Sequence, residues 1–178
     1  MVDRALDRIG HLAAKYVAYP LWLAREGEGR MLGYMREFEE ILSWPRARIE
    51  DLQCRRLAAL VRHAYETTPF YRARLDRAGV RVGAIKDPTD LGRIPPLTKD
   101  EIRADRDALR SRRYPARSLS RSATGGSTAT PITFYQDMDS VLRRVAHTHV
   151  FNRWYGLDIG HRVALLWGAA QDLTAIDT

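Results

Sequence analysis

Thr124-Gly125-Gly126-Ser127-Thr128-Ala129-Thr130-Pro131 is the segment of this sequence whose residue types and spacing carry chemical content. Two adjacent glycines can take positive φ and let the backbone come close to a ligand. Successive backbone N–H groups in such a turn form a concave anion site. The hydroxyls of Thr124, Ser127 and Thr128 add neutral donors, and Pro131 stiffens the exit. That combination suits a grip on the terminal phosphates of a nucleotide. The same composition between two strands also suits a plain hairpin loop. It is not a Walker-type loop, because the G-x-x-x-x-G-K-[ST] spacing and its lysine are missing.

The elements around the loop change character along the chain. Residues 1–42 show helical spacing in two stretches, with Pro20 and the Gly27–Gly29 pair expected to separate them. Tyr16, Tyr19 and Trp22 lie along the first, which suits either packing on the protein's own core or a rest on a membrane surface. Residues 49–67 form the clearest helix, with Leu52, Leu57, Leu60, Val61, Ala64 and Tyr65 on one apolar face. A second helix is expected from Pro69 to Gly79. Asp87–Asp90 and Pro95-Pro96 read as turns. Thr98 and Glu101 form a capping box that opens a helix to about Leu109. Residues 117–124 and Ile132–Tyr135 read as strands on either side of the loop. Asp137 is expected to cap a helix to about Tyr155 that buries Val141, Val145, Thr148 and Phe151. Gly156 and Gly160 end it, and Arg162–Gly168 reads as a buried strand.

Bulk properties exclude several classes. The 178 residues are 45% hydrophobic and 29% charged, with no low-complexity tract, as in a soluble globular domain. Uncharged stretches reach only about nine residues, well short of the roughly twenty needed for a membrane-spanning helix. The N-terminus lacks a signal core, and the single Cys54 cannot form an internal disulfide, which together favour the cytoplasm. The net charge of +7 is nearly all arginine, spread along the chain with acids interleaved, so no nucleic-acid partner is expected.

The blocks flanking the loop carry a resemblance. Leu60-Val61-Arg62-His63-Ala64-Tyr65 followed by Thr68-Pro69-Phe70-Tyr71-Arg72 resembles the opening signature of phenylacetate–CoA ligases and capsule-biosynthesis CapK-type proteins. Leu91, Ile94-Pro95-Pro96-Leu97-Thr98-Lys99 and Ile102-Arg103 resemble the next block. The glycine loop, Phe134, Asp137, Trp154, Gly156, Gly160, Arg162 and Leu166-Trp167-Gly168 follow in order. The resemblance covers roughly residues 50–170.

It implies an α/β fold: a helical segment over 1–48, then over 49–178 the partial N-terminal domain of an adenylate-forming enzyme. It implies carboxylate activation with ATP and Mg²⁺, then transfer to coenzyme A. By similarity Thr124, Gly125, Gly126, Ser127, Thr128, Ala129 and Thr130 would hold the β- and γ-phosphates; no catalytic residue and no metal ligand is assigned. Two residues depart from the pattern: Ala129 replaces a usual glycine, and Ile132 stands where many adenylating enzymes carry lysine. The adenine- and ribose-binding motifs, the acidic Mg²⁺ ligand and the C-terminal lysine domain have no counterpart, so no ligase activity is expected from these residues alone. Readings left open are a non-catalytic nucleotide- or partner-binding remnant, a CapK-like protein of surface polysaccharide biosynthesis, and a basic module on nucleic acid or membrane. Expected partners are a small carboxylic acid, with a second copy or a missing C-terminal portion open.

Among the remaining residues, His147 and His149 lie two apart and should face different sides of their helix, unlike a metal pair. His63 is expected to pack or cap, and Trp154 and Trp167 to be core.

Overall fold

Prolines and glycines set most element boundaries in the computed structural model, which describes residues 9–124 and 131–164. These residues fall into two units, one drawn from Met1–Glu40 and Asp139–Thr178, the other from Ile41–Met138. The fold is mostly helical with a two-stranded antiparallel sheet, consistent with an α/β class. No helix among the described residues is long and apolar enough to cross a membrane.

In the Ile41–Met138 unit the long helix α3 (Arg46–Thr67) follows an extended Pro45. It ends at Thr68 (φ −117°, ψ 107°), held extended because the residue before a proline avoids the helical region. Pro69 then opens α4 (Pro69–Arg77). This helix stops in a Schellman motif. Gly79 (φ +65°) donates to Asp76 O at 3.0 Å, and Val80 donates to Leu75 O at 3.0 Å. Gly27 and Gly156 stop their helices with the same pair of bonds. Val61, Leu75 and Ile85 form the core here, with Leu57, Tyr65, Val80, Val82 and Ile94 packed on it. Leu60, expected on the apolar face, is exposed instead; Val61 takes the inward position next to it.

Two capping boxes follow. Asp87 and Asp90 cap a 3₁₀ turn, Pro88–Arg93. Thr98 and Glu101 cap α5 (Lys99–Ala104). α5 is shorter than its periodicity suggests: Asp105 leaves helical geometry (φ −110°, ψ 29°), and tight turns carry the chain to Leu109. β1 (Leu119–Ala123) and β2 (Thr133–Asp137) then pair antiparallel, with Ser122 opposite Phe134.

The other unit contains α1 (Tyr19–Arg25), most of α2 (Arg30–Leu42) and most of α6 (Met138–Trp154). Pro20 does not separate two helices. It sits inside one helical run, immediately after a π-helical segment, Ala14–Ala18. A proline clashes with the carbonyl four residues back, and the wider π turn, closed by Tyr19 N–H on Ala14 O, accommodates it. The break falls at Gly27 instead.

Leu23, Met31, Met35, Leu142, Ala146, Val150 and Ile159 form this unit's core. The buried stripe of α6 is therefore Leu142–Ala146–Val150, one position round from the expected one. Val141 and Val145 are half-buried, while Thr148 and Phe151 are exposed. Apolar residues lie on both sides of this helix, so periodicity alone could not choose a face. Trp154, expected in the core, is 64% exposed. Residues 162–164 form no strand and Val163 is exposed; residues 165–168 lie outside the described residues.

Asp158 ties α6 to the first helical run, accepting from Lys15 at 2.6 Å and Arg153 at 3.0 Å. Burial alone would raise its carboxyl, but bonds from Lys15, the Ile159 N–H and Arg153 overcome that and hold it at about 2. Its pKa is lower folded than unfolded, so its stabilisation is complete above about pH 4 and disappears as pH falls toward 2. Asp158→Asn should lower the melting temperature at pH 7 and flatten the acid limb between pH 4 and 2; an unchanged limb in a pH series of thermal melts would refute this. Gly160 (φ +91°) lies so close to His11 that an added Cβ would sit 2.8 Å from the His11 carbonyl oxygen. Gly160→Ala should cost roughly 2 kcal/mol in chemical denaturation, from the left-handed backbone plus this contact.

Candidate phosphate-loop site and the adjoining cleft

The hairpin places the ends of the glycine segment together. Thr124 N–H donates to Ile132 O at 3.0 Å, and Ile132 N–H donates to Thr124 Oγ1 at 3.0 Å. The Thr124 hydroxyl thus accepts one bond and keeps its own hydrogen free of any partner among the described residues. That remaining donor fits a phosphate oxygen. Of the seven residues assigned to the phosphates, only Thr124 is described; Gly125, Gly126, Ser127, Thr128, Ala129 and Thr130 lie outside the described residues. Among the described residues no three His, Cys, Asp or Glu side chains converge as a metal site.

A cleft of about 340 Å³ adjoins β2. Its walls come from the end of α3 (His63), α4 (Tyr71), α5 (Ile102), the 106–114 turns and β2 (Phe134 and Asp137). Hydrogen bonds fasten those turns to the α3–α4 junction. Phe70 N–H donates to Ala108 O at 3.1 Å and Arg112 N–H to Thr67 O at 2.7 Å. The hydroxyl of Ser111 donates to Thr67 Oγ1 (2.9 Å), which donates to His63 O (2.7 Å). His63 Nε2 lies 3.3 Å from Thr67 Oγ1 and 3.4 Å from Ser111 Oγ. His63 Nε2 donates to these oxygens or accepts from them according to its tautomer. The bonds of Ser111 and Thr67 fasten the 106–114 turns to the end of α3.

Arg74 is the residue that sequence reading missed. It is 6% exposed, on the buried face of α4 with Phe70 and Leu75. Its Nη1 donates to Glu101 at 2.7 Å, its Nε to Pro95 O at 3.1 Å, and its Nη2 to Pro96 O. The Arg74 guanidinium, with the Thr98 N–H and hydroxyl, holds the Glu101 carboxyl at about 2. The only sequence signal was an arginine four residues after Phe70 on a helix face otherwise reading apolar.

The other histidines behave as spacing implies. His147 packs 4.3 Å from the Phe38 ring and 4.9 Å from Phe151, whereas His149 meets the Tyr19 hydroxyl at 3.1 Å. Cys54 is a free, half-buried thiol.

Charge is less evenly spread than composition suggested. Acids pair with Arg30, Arg46, Arg55, Arg74, Arg93, Arg103, Arg143 and Arg153. Arg106, Arg110, Arg112, Arg113, Arg117 and Arg121 have no side-chain hydrogen bond or ion pair among the described residues. All six belong to the cleft-side turns and β1.

No family model matches the chain. Part of it is similar to phenylacetate-coenzyme A ligases. The Thermus thermophilus enzyme is 42% identical over 64 residues, which is 36% of this chain and 14% of that protein. The Escherichia coli enzyme is 38% identical over 55 residues, 31% of this chain and 13% of that protein. The Aromatoleum evansii enzyme is 40% identical over 55 residues, 31% of this chain and 12% of that protein. The match thus links about a third of this chain to that family and spans less than a sixth of each relative.

Removing the Arg74 guanidinium strands Glu101 and two carbonyls. Arg74→Ala should cost about 3 kcal/mol in chemical denaturation, at the low end for a buried ion pair because Glu101 is partly exposed. Arg74→Lys should recover only part, since the donors of an ammonium sit on one nitrogen and cannot span acceptors met by Nε, Nη1 and Nη2 separately. A loss under 1 kcal/mol for the alanine variant would contradict the assignment.

Proposed function

We propose that this chain supplies the phosphate grip of an ATP-dependent carboxylate-activating ligase. In this reading residues 49–178 are part of the adenylate-forming N-terminal domain and 1–48 a helical segment preceding it. The reaction is acyl-adenylate formation: a carboxylate oxygen bonds the α-phosphorus of ATP as the bond to the β-phosphate breaks and pyrophosphate leaves. The thiolate of coenzyme A then attacks the acyl carbon and AMP departs. A bare carboxylate is a poor electrophile, and AMP supplies the leaving group. Magnesium, when bound with ATP, neutralises phosphate charge.

The observation that carries the reading is the partial similarity to three phenylacetate-coenzyme A ligases. It is supported by a hairpin that closes at Thr124 and Ile132 on either side of the glycine segment. Backbone N–H groups of Gly125, Gly126 and Ser127, with the hydroxyls of Thr124, Ser127, Thr128 and Thr130, are assigned to the β- and γ-phosphates; Ala129 takes its place in the same segment. Holding those phosphates sets the α-phosphorus in line for attack, and orientation of this kind is a large part of catalysis. The names of the three relatives favour an aryl acetate over a polysaccharide precursor as the acid.

Calorimetric titration with ATP and Mg²⁺ tests the grip directly. The wild-type chain should bind, and Gly125→Val with Gly126→Val should weaken binding about tenfold or more while the far-ultraviolet circular dichroism spectrum stays that of the wild type. Equal affinity in the two proteins would sink the assignment. Thr124→Val should weaken binding as well and cost about 1 kcal/mol of stability, through the lost acceptor for Ile132 N–H.

A further inference from the structure

Nineteen residues, Arg103–Arg121, carry seven arginines against Asp105 and Asp107, so five of the chain's seven net positive charges lie there. Arg103 pairs with Asp100 at 2.8 Å. The other six guanidiniums have no partner among the described residues; five are exposed and Arg110 is half-buried in the cleft. Unpaired arginines in a solvated tail would be unremarkable. These are displayed on backbone held in place by Phe70 N–H on Ala108 O, Arg112 N–H on Thr67 O and the Ser111–Thr67 bond. Further on, β1 pairs in register with β2.

The arginines also adjoin an apolar recess. Leu97, Ile102, Leu109 and Phe134 line the cleft together with Arg106 and Arg110. An apolar pocket bordered by guanidiniums is the arrangement of an interface hot spot, where one buried anchor is ringed by charge pairs. We propose that this face docks an acidic segment of a partner protein, which inserts one aromatic or aliphatic side chain into the cleft and sets its carboxylates against Arg106 and Arg110, the two arginines that line it. Guanidinium and carboxylate match as two-pronged pairs, and the field of six clustered arginines steers an acidic partner toward the cleft.

Three observations favour a protein over nucleic acid. Asp105, Asp107 and Asp137 stand among or beside the arginines, where closely spaced phosphates would meet them. Of the tyrosines and phenylalanine lining the cleft, Tyr71, Tyr114 and Phe134 are half-buried and Tyr135 alone is exposed, too few platforms for successive bases to stack. The recess suits an anchoring side chain, whereas backbone contacts to phosphate need none. The proposal uses no residue of the phosphate segment and stands independently of it.

The test is fluorescence anisotropy with a labelled synthetic peptide of glutamates around one central phenylalanine, using the full 178-residue chain. Three companions are a peptide with alanine for the phenylalanine, a glutamine version, and a single-stranded oligonucleotide of equal charge. The glutamate–phenylalanine peptide should bind most tightly and weaken steeply with salt. The alanine peptide should lose about fivefold and the glutamine peptide should not bind. Arg106→Glu with Arg110→Glu should lower affinity about tenfold. Arg25→Glu with Arg36→Glu, the same charge change on the other unit, should lower it less than twofold. Arg117→Glu with Arg121→Glu provides a second pair should the first fail to fold, as judged by circular dichroism. Equal losses from the two units, an anchor-independent affinity, or tighter oligonucleotide binding would each overturn the proposal.

Discussion

A single buried guanidinium organises the Ile41–Met138 unit. Arg74 gathers a carboxylate from α5 and two carbonyls from the Pro95-Pro96 turn, and proline supplies no N–H with which to stitch that turn by itself. A buried charge is tolerated only when fully bonded. The geometry of α4, the diproline turn and α5 is consequently specified together. Glu101 serves twice, as the N3 member of the capping box and as counter-ion to Arg74. The start of α5 and the burial of α4 are thereby coupled, and Ile102 reaches the cleft from that fixed helix.

The cleft follows from this arrangement. Its other wall is carried by turns that hang from the α3–α4 junction through Thr67, Ser111 and His63. A hydroxyl chain ending on a main-chain carbonyl fastens these turns to the end of α3. The hairpin completes the wall with Phe134 and closes its own mouth through Thr124.

Composition hid the charge distribution. Counting residues showed arginines and acids interleaved, but helical spacing and tertiary contact consume the acids unevenly. Asp139 alone meets Arg30 and Arg143, and Asp158 meets Lys15 and Arg153. Arginines without a partner among the described residues remain on both units, Arg25, Arg36, Arg144 and Arg162 on one and Arg62, Arg81 and the run Arg106–Arg121 on the other, but the net excess is greatest in that run, beside an apolar recess. The same imbalance explains why the sequence looked merely basic.

Much was legible beforehand because it is local. Pro69 and Gly79 bound α4, Thr98 and Glu101 form the expected box, and the two strands flank the glycine segment as their alternation implied. Each rests on dihedral preferences or bonds spanning a few residues. Pro20 misled because a π turn absorbs a proline that an α turn would not. The inward faces of α3 and α6, the exposure of Leu60 and Trp154, and the role of Arg74 depend on which surface arrives opposite each helix. By itself the sequence determined the bounds of α4, the start of α5 and the two strands that flank the glycine segment. Only tertiary packing decided which side chains are buried, which charges find partners, and where a cleft opens, since those are set by contacts between residues far apart in the chain.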